Sequence, residues 1–205
     1  MLRADRGGVR PVIAALAVVI TMPVILTGGC SSTRQRVSVS QALIDRDIRN
    51  LQLMPVIDTR PDPFDTVNVA TQLRAASKRV LERQGYLVSL EPISTPERPV
   101  SAAELVRMDA AQISDLAPPG HRYLLLLYVE RLDRGYQVTG ESSRVRIRGR
   151  IVDAEERAEI WHDSASAESA LTGILSVLTG PGTRYEALYQ AARNLFRSLP
   201  NRKKR

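Results

Sequence analysis

The stretch Ser143 to Asp153, SRVRIRGRIVD, places arginine at 144, 146, 148 and 150 and small or apolar residues at 145, 147, 149 and 151. Successive side chains of a β-strand point to opposite faces, so this spacing predicts a strand with one apolar face. The other face would carry four guanidinium groups roughly 6.6 Å apart. Three kinds of chemistry suit Arg144, Arg146, Arg148 and Arg150. They could form the wet face of an antiparallel sheet. They could be neutralised by acids on adjacent segments, with Glu141, Glu155, Glu156, Glu159 and Asp163 as candidates. Or they could contact a polyanion, such as an acidic protein surface or the phosphates of lipid A. The residues alone leave all three open.

Signals for catalysis are sparse. The two histidines, His121 and His162, have no spacing that suits a metal site, and Asp163, next to His162, falls on the opposite face of its strand. No nucleophile elbow and no phosphate-binding glycine loop occurs. Asp58, Asp62 and Asp65 cluster after the first predicted strand, as a solvated turn or as a ligand loop. The expectation is a protein that is not an enzyme and that has no metal and no diffusible cofactor.

The N-terminus supplies a different chemistry. MLRADRGGVR carries three arginines and one aspartate ahead of the apolar run Val12 to Leu26. That is the layout of an export signal, and it is shorter than the roughly 20 residues a membrane-spanning helix needs. The run ends in Leu26-Thr27-Gly28-Gly29-Cys30, which resembles the lipobox of bacterial lipoproteins. The resemblance implies a signal peptide over 1–29, cleavage between Gly29 and Cys30, and diacylglyceryl and N-acyl chains on Cys30. Cys30 is the sole cysteine, so no internal disulfide can form, and lipidation accounts for a lone thiol in an exported chain. Each buried acyl CH₂ contributes about 0.8 kcal/mol, so several chains make a lasting anchor. Ser31 and Ser32 follow where aspartate would retain the protein in the inner membrane. By resemblance to enterobacterial sorting, the expected location is the periplasmic face of the outer membrane.

Charge narrows the partners. The formal net charge is +7, but Arg202 to Arg205 form a basic tail, and residues 31–201 hold 22 basic and 21 acidic side chains. A nearly neutral body with 4% aromatics offers neither the electrostatic footprint nor the stacking platforms of a nucleic-acid binder.

The elements around these residues follow from periodicity. Residues 30–50 read as the lipidated cysteine and a polar tether, with a short helix near Ala42–Ile48, and 51–200 read as one domain of ample size for a core. Leu51–Ile57 is a strand bent by Pro55. Thr66 to Gln84 is a helix with Val69, Leu73, Ala76 and Val80 on one face, stopped by Gly85. Tyr86–Leu90 is a short strand. Ser101-Ala102-Ala103-Glu104 and Thr183-Arg184-Tyr185-Glu186 are capping-box sequences that open helices. Tyr123–Val129 is apolar without alternation, hence a strand buried on both faces. Strands over Tyr136–Thr139, Ser143–Asp153 and Glu159–Ala165 follow. The order β-α-β-α-β-β-β-β-α defines an α+β fold, a mixed sheet packed with helices. Between the last strand and the last helix, Leu171, Ile174, Leu175 and Leu178 share one helical face. They are the candidate partner contact, against the plainer reading of a core-facing connector.

Three segments carry a family resemblance: Leu51-Gln52-Leu53-Met54-Pro55 through Gly85-Tyr86, the strand ending Tyr128-Val129-Glu130-Arg131-Leu132, and Tyr136-Gln137-Val138 through Val152-Asp153 to Glu159-Ile160-Trp161. They resemble bacterial envelope lipoproteins of unknown function whose fold is like the N-terminal domain of TolB and, more loosely, the periplasmic part of CsgG-type secretion lipoproteins. The resemblance implies a non-catalytic accessory or scaffold subunit of an envelope transport or secretion assembly, with protein partners, a possible homodimer and a membrane held through its lipid. The alternative class is a periplasmic binding module for lipopolysaccharide or cell-wall glycan.

Overall fold

The apolar run at the centre of the chain becomes the spine of the protein. In the computed structural model, which describes residues 38–61, 66–90, 102–137, 140–172 and 182–204, Leu124 to Val129 are fully buried. They lie in the middle of a seven-stranded mixed sheet. The strands are β1 (Ser38–Val39), β2 (Asn50–Leu53), β3 (Ile57–Asp58), β4 (Leu87–Ser89), β5 (Tyr123–Gln137), β6 (Gly140–Asp153) and β7 (Ala158–Thr172). Their spatial order is β1-β7-β6-β5-β2-β4, with β3 beside β5 further along. The β5–β6–β7 meander is antiparallel, while β2, β3 and β4 run parallel to their neighbours. Met54 to Val56 separate β2 from β3, and Pro55, which lacks a donor for a sheet ladder, sits at this break.

Helices cover both faces. On one side α2 (Thr66–Arg83) and α5 (Thr183–Leu195) bury Val69, Leu73, Ala76, Leu188, Ala192 and Leu195 against the inner parity of β6, namely Val145, Ile147 and Ile151. On the other, the short α3 (Ala102–Arg107) and α4 (Ala110–Ser114) cover Leu124, Leu126, Tyr128 and Val152. Asp109 caps α4 with a full capping box, exchanging bonds with Gln112.

The structure corrects the sequence reading at four places. The predicted four-strand meander has three long strands, because Asp133-Arg134-Gly135, between the strands expected at Tyr123–Val129 and Tyr136–Thr139, stays in β5 and pairs with Ser142 to Arg144. The domain begins before residue 51. Ser38 and Val39 pair with His162 and Trp161, α1 (Gln41–Asp45) follows, and Leu43 and Ile48 enter the core. The C-terminal residues are not simply a basic tail. Arg202–Lys204 form a 3₁₀ turn, and Arg202 is only 4% exposed. Its guanidinium donates to the carbonyls of Leu43 (2.8 Å) and Arg46 (2.7 Å), where a cation satisfies acceptors left open as α1 ends. Thr183 is no capping residue either; Gly182 holds that place, and the buried Thr183 hydroxyl shares a 2.9 Å hydrogen bond with Ser143.

Gly149 occupies the one position of the inner β6 parity that could not carry a side chain. A Cβ there would stand 2.8 Å from Trp161 Cζ3 and 3.1 Å from Leu195 Cδ2. Gly149→Ala is therefore expected to lower unfolding free energy by about 1–3 kcal/mol, the cost of overpacking a tight core. Urea denaturation followed through Trp161 fluorescence checks this; the midpoint should fall with little change in slope.

Candidate functional site

The arginine row stands where alternation places it, on the sheet face away from α2 and α5, and each guanidinium meets an acid. Arg144 donates to Glu168 on β7 at 2.7 Å. Arg146 and Arg148 share Glu130, at 3.2 and 3.5 Å. Arg148 also lies 4.6 Å above the ring of Tyr128, a cation–π contact. Arg150, the most covered of the four, pairs with Glu159, which also bonds His162 Nδ1 at 2.6 Å. Burial alone would disfavour the charge on Arg150; Glu159 overrides that and raises its pKa.

Arg144 and Glu168 are directly opposite in regular register, and two irregularities shape the other pairs. The β5–β6 register shifts between Val129 and Arg131, leaving Glu130 without an opposite residue and in reach of two arginines. The β6–β7 register shifts after Ile151, which pairs with Trp161 while Val152 pairs with Glu159. A bulge re-aims the side chains beside it. Of the acids proposed from sequence, Glu159 alone pairs with the row. Glu155 and Glu156 turn to Arg122 and Arg46, Asp163 faces α5, and the side chain of Glu141 lies outside the described residues. Glu130 and Glu168 take the vacant roles.

Asp163 is 2% exposed and accepts from Ser198 Oγ at 2.8 Å and from the Ser164 amide at 2.7 Å. Ser198 Oγ in turn accepts from Trp161 Nε1 at 3.0 Å. This chain of bonds fixes the indole. His162 is not part of it and points to the other face, as the alternation predicts. Of the acidic loop cluster, Asp58 forms a bidentate pair with Arg60, and Asp62 and Asp65 lie outside the described residues.

A denser ionic centre joins three parts of the chain at the far end of the sheet. Asp153, fully buried, accepts two bonds from Arg122 (2.9 and 2.8 Å), one from Arg46 (3.0 Å) and one each from the amides of Glu155 (3.1 Å) and Glu156 (3.3 Å). Burial on its own would raise the Asp153 carboxyl. The Arg122 guanidinium and the two amides overrule it and hold the group below the usual carboxylate range. Beside this centre an open cleft of about 460 Å³ separates the edge strand β4 from the Gly120–Tyr123 turn, lined by Asn50, Leu87, Ser89 and His121. Among the described residues, no three metal-ligating side chains converge.

The partner-contact reading of 171–178 changes in one respect. Leu171 is not on a helix; it is in β7, opposite Glu141 of β6. Ile174, Leu175 and Leu178 lie outside the described residues, as do Gly29 and Cys30. Residues 163 to 172 of β7 have a second feature that no sequence motif announced. β1 pairs only with Trp161 and His162, so from Asp163 to Thr172 the outer edge of β7 has no strand partner among the described residues. On the far side of the ribbon, β3 pairs with β5 only at Tyr128 and Val129.

No protein-family model matches the chain, and no curated protein matches it. Among solved structures, the fold is similar to the lipoprotein GNA1162 from Neisseria meningitidis, at 20% identity over 71% of this chain and 96% of that one, with a TM-score of 0.45. It is also similar to PelC from Paraburkholderia phytofirmans, solved as a dodecamer, at 16% identity over 80% and 94% with a TM-score of 0.49. A minor lipoprotein from Acinetobacter baumannii is similar at 14% identity over 71% and 86%, with a TM-score of 0.34.

The Asp153 centre makes a pH prediction. A carboxyl depressed in the folded state adds stability above its ordinary value of about 4 and loses it as pH falls through the depressed value. Asp153→Asn should lower the denaturant midpoint near neutral pH and flatten the decline in stability below about pH 4. Parallel urea titrations of the two proteins across that range check it.

Proposed function

We propose that the chain is a lipid-anchored lipoprotein of the bacterial envelope, held through Cys30 at the periplasmic face of the outer membrane. It acts as a non-catalytic accessory subunit of an envelope transport or secretion assembly. The export-type leader and the lipobox-like Leu26-Thr27-Gly28-Gly29-Cys30 support the anchor. The observation that carries the subunit role is the edge of β7 from Asp163 to Thr172, which has no strand partner among the described residues. A row of backbone donors and acceptors at a sheet edge accepts a further strand. The projecting half of the β5–β6–β7 ribbon therefore serves as the partner surface, with Leu171 near its tip. The paired arginine row argues against the polyanion-binding alternative, because Glu130, Glu159 and Glu168 already occupy the charges such a ligand would need.

A lysine on an edge strand discourages strand addition without disturbing the sheet. Ala170 is exposed on β7, so Ala170→Lys should leave the circular dichroism spectrum and urea midpoint unchanged. It should reduce by roughly tenfold or more the proteins recovered at fixed ratio from gently solubilised envelopes, about 1.4 kcal/mol of binding. Full recovery with the variant would remove β7 as the partner surface.

A further inference from the structure

We propose that the outer surface of the α2–α5 layer is a membrane-docking face that lies against anionic phospholipid headgroups. In contrast to the arginine row, its cations are scattered in sequence: Lys78, Arg79 and Arg83 from α2, Arg193 from α5, and Arg197 and Lys203 from the C-terminal turns. The fold gathers them. Arg83 Nη1 reaches the Tyr189 hydroxyl on α5, and Gln84 Nε2 donates to the Phe196 carbonyl at 3.1 Å. The acids of these elements are Glu82 and Glu186 alone, and they are partly engaged, with Lys78 and with Gln190. Arg79, Arg193, Arg197 and Lys203 are exposed and have no ion pair among the described residues. Four exposed cations without an ion pair among the described residues thus gather on one side of a body close to neutrality.

The position of Ser38, the first described residue, favours a membrane over an acidic protein as the occupant. Val39 is opposite Trp161, whose Nε1 bonds Ser198, the residue after Arg197. Ser38 therefore lies close to the C-terminal turn that carries Arg197. Cys30 is eight residues earlier, a reach of at most about 28 Å, so a lipid on Cys30 keeps this end of the domain close to the bilayer. Each Lys or Arg near an anionic surface adds about fivefold to the local binding constant, and several act together once the anchor removes the cost of encounter. The inference rests on the Cys30 anchor proposed above.

The test uses the full lipidated protein with Ala75→Cys, one turn before Arg79 on α2, or Ala170→Cys on the opposite sheet face, each carrying a fluorophore. The protein is inserted into phosphatidylcholine vesicles with or without phosphatidylglycerol, and quenching by headgroup nitroxide lipid is measured. The expected result is severalfold stronger quenching at position 75 than at 170 in anionic vesicles. That difference should disappear at high salt, in neutral vesicles, and when Arg79, Arg193 and Arg197 are all changed to glutamate. Equal quenching at both positions would overturn the docking face, as would a difference indifferent to the charge reversal. Loss of a co-purifying acidic protein with quenching unchanged would also overturn it, in favour of a protein occupant. Wild-type protein that takes the label on Cys30 and fails to float with neutral vesicles would instead refute the anchor. Co-sedimentation of that same chain with anionic vesicles then tests the face alone, and absence of charge-dependent binding there overturns it.

Discussion

The indole of Trp161 occupies the space that a side chain on Gly149 would need, and the arrangement of both layers follows from that single exchange. With no Cβ on β6, the ring can lie against the sheet, stack beside Phe196 at 6.2 Å between centroids, and touch the α5 face near Leu195. Its Nε1 cannot be left unpaired in so dry a place. Ser198 accepts from it, and Ser198 is in turn held by the buried Asp163. One apolar packing decision thereby fixes the angle of α5, the 3₁₀ turn after it, and the register of β1, whose Val39 lies opposite Trp161. The C-terminal turn then closes over Gly85, where a positive φ of 93° and a 2.8 Å approach of the Lys203 amide to the Cβ position admit little but glycine. Arg202 ties the same turn to α1.

Charge follows packing in this molecule. Acids are brought to arginines by irregular backbone: Glu130 at the shift in β5, Glu159 at the shift in β7, and Asp153 at the end of β6 beside the Ala154–Arg157 turn. In that turn Arg157 adopts a positive φ of 53°. The shift in β5 sets Arg131 opposite Arg146, a like-charge pairing that is unfavourable on its own, and Glu130, in reach of both Arg146 and Arg148, offsets it. With Arg144 on Glu168 and Arg150 on Glu159, the row is neutralised while the α2–α5 surface stays basic.

Periodicity made the regular parts of the fold legible. The Thr66 helix, the two-sided burial of Leu124 to Val129 and the inner parity of β6 all follow from spacing, because burial selects residue type at every second or every third to fourth position. What escaped was set by contacts distant in sequence. Asp133-Arg134-Gly135 has turn composition, yet pairing with Ser142 to Arg144 keeps it extended. Residues 38–50 are polar enough to read as tether, and only Leu43 and Ile48 reveal the docked segment. Arg202 belongs to a basic run whose role depends on carbonyls more than 150 positions away. The arginine row was legible as a row, but its neutralising acids are set by strand register, with Glu168 opposite Arg144 and Glu159 brought round by a shift, which no alternation pattern encodes.

A tandem row of like charges attracts notice in a sequence because it is local, and locality is also why a sheet can neutralise it with neighbours one strand away. Charges dispersed from Arg79 to Lys203 escape notice, and Arg79, Arg193, Arg197 and Lys203 have no ion pair among the described residues. The cost of keeping such a surface is small while it is hydrated. It becomes favourable once a lipid anchor confines the domain beside anionic headgroups, where the same cations act at short range. On the proposed reading the two faces have different work: the neutral sheet ribbon, whose β7 edge has no strand partner among the described residues, is left for protein, and the basic helical layer for the membrane. The eight positions between Cys30 and Ser38 suit that division, because a domain held far from the bilayer would have no use for a charge asymmetry on the side where Ser38 lies.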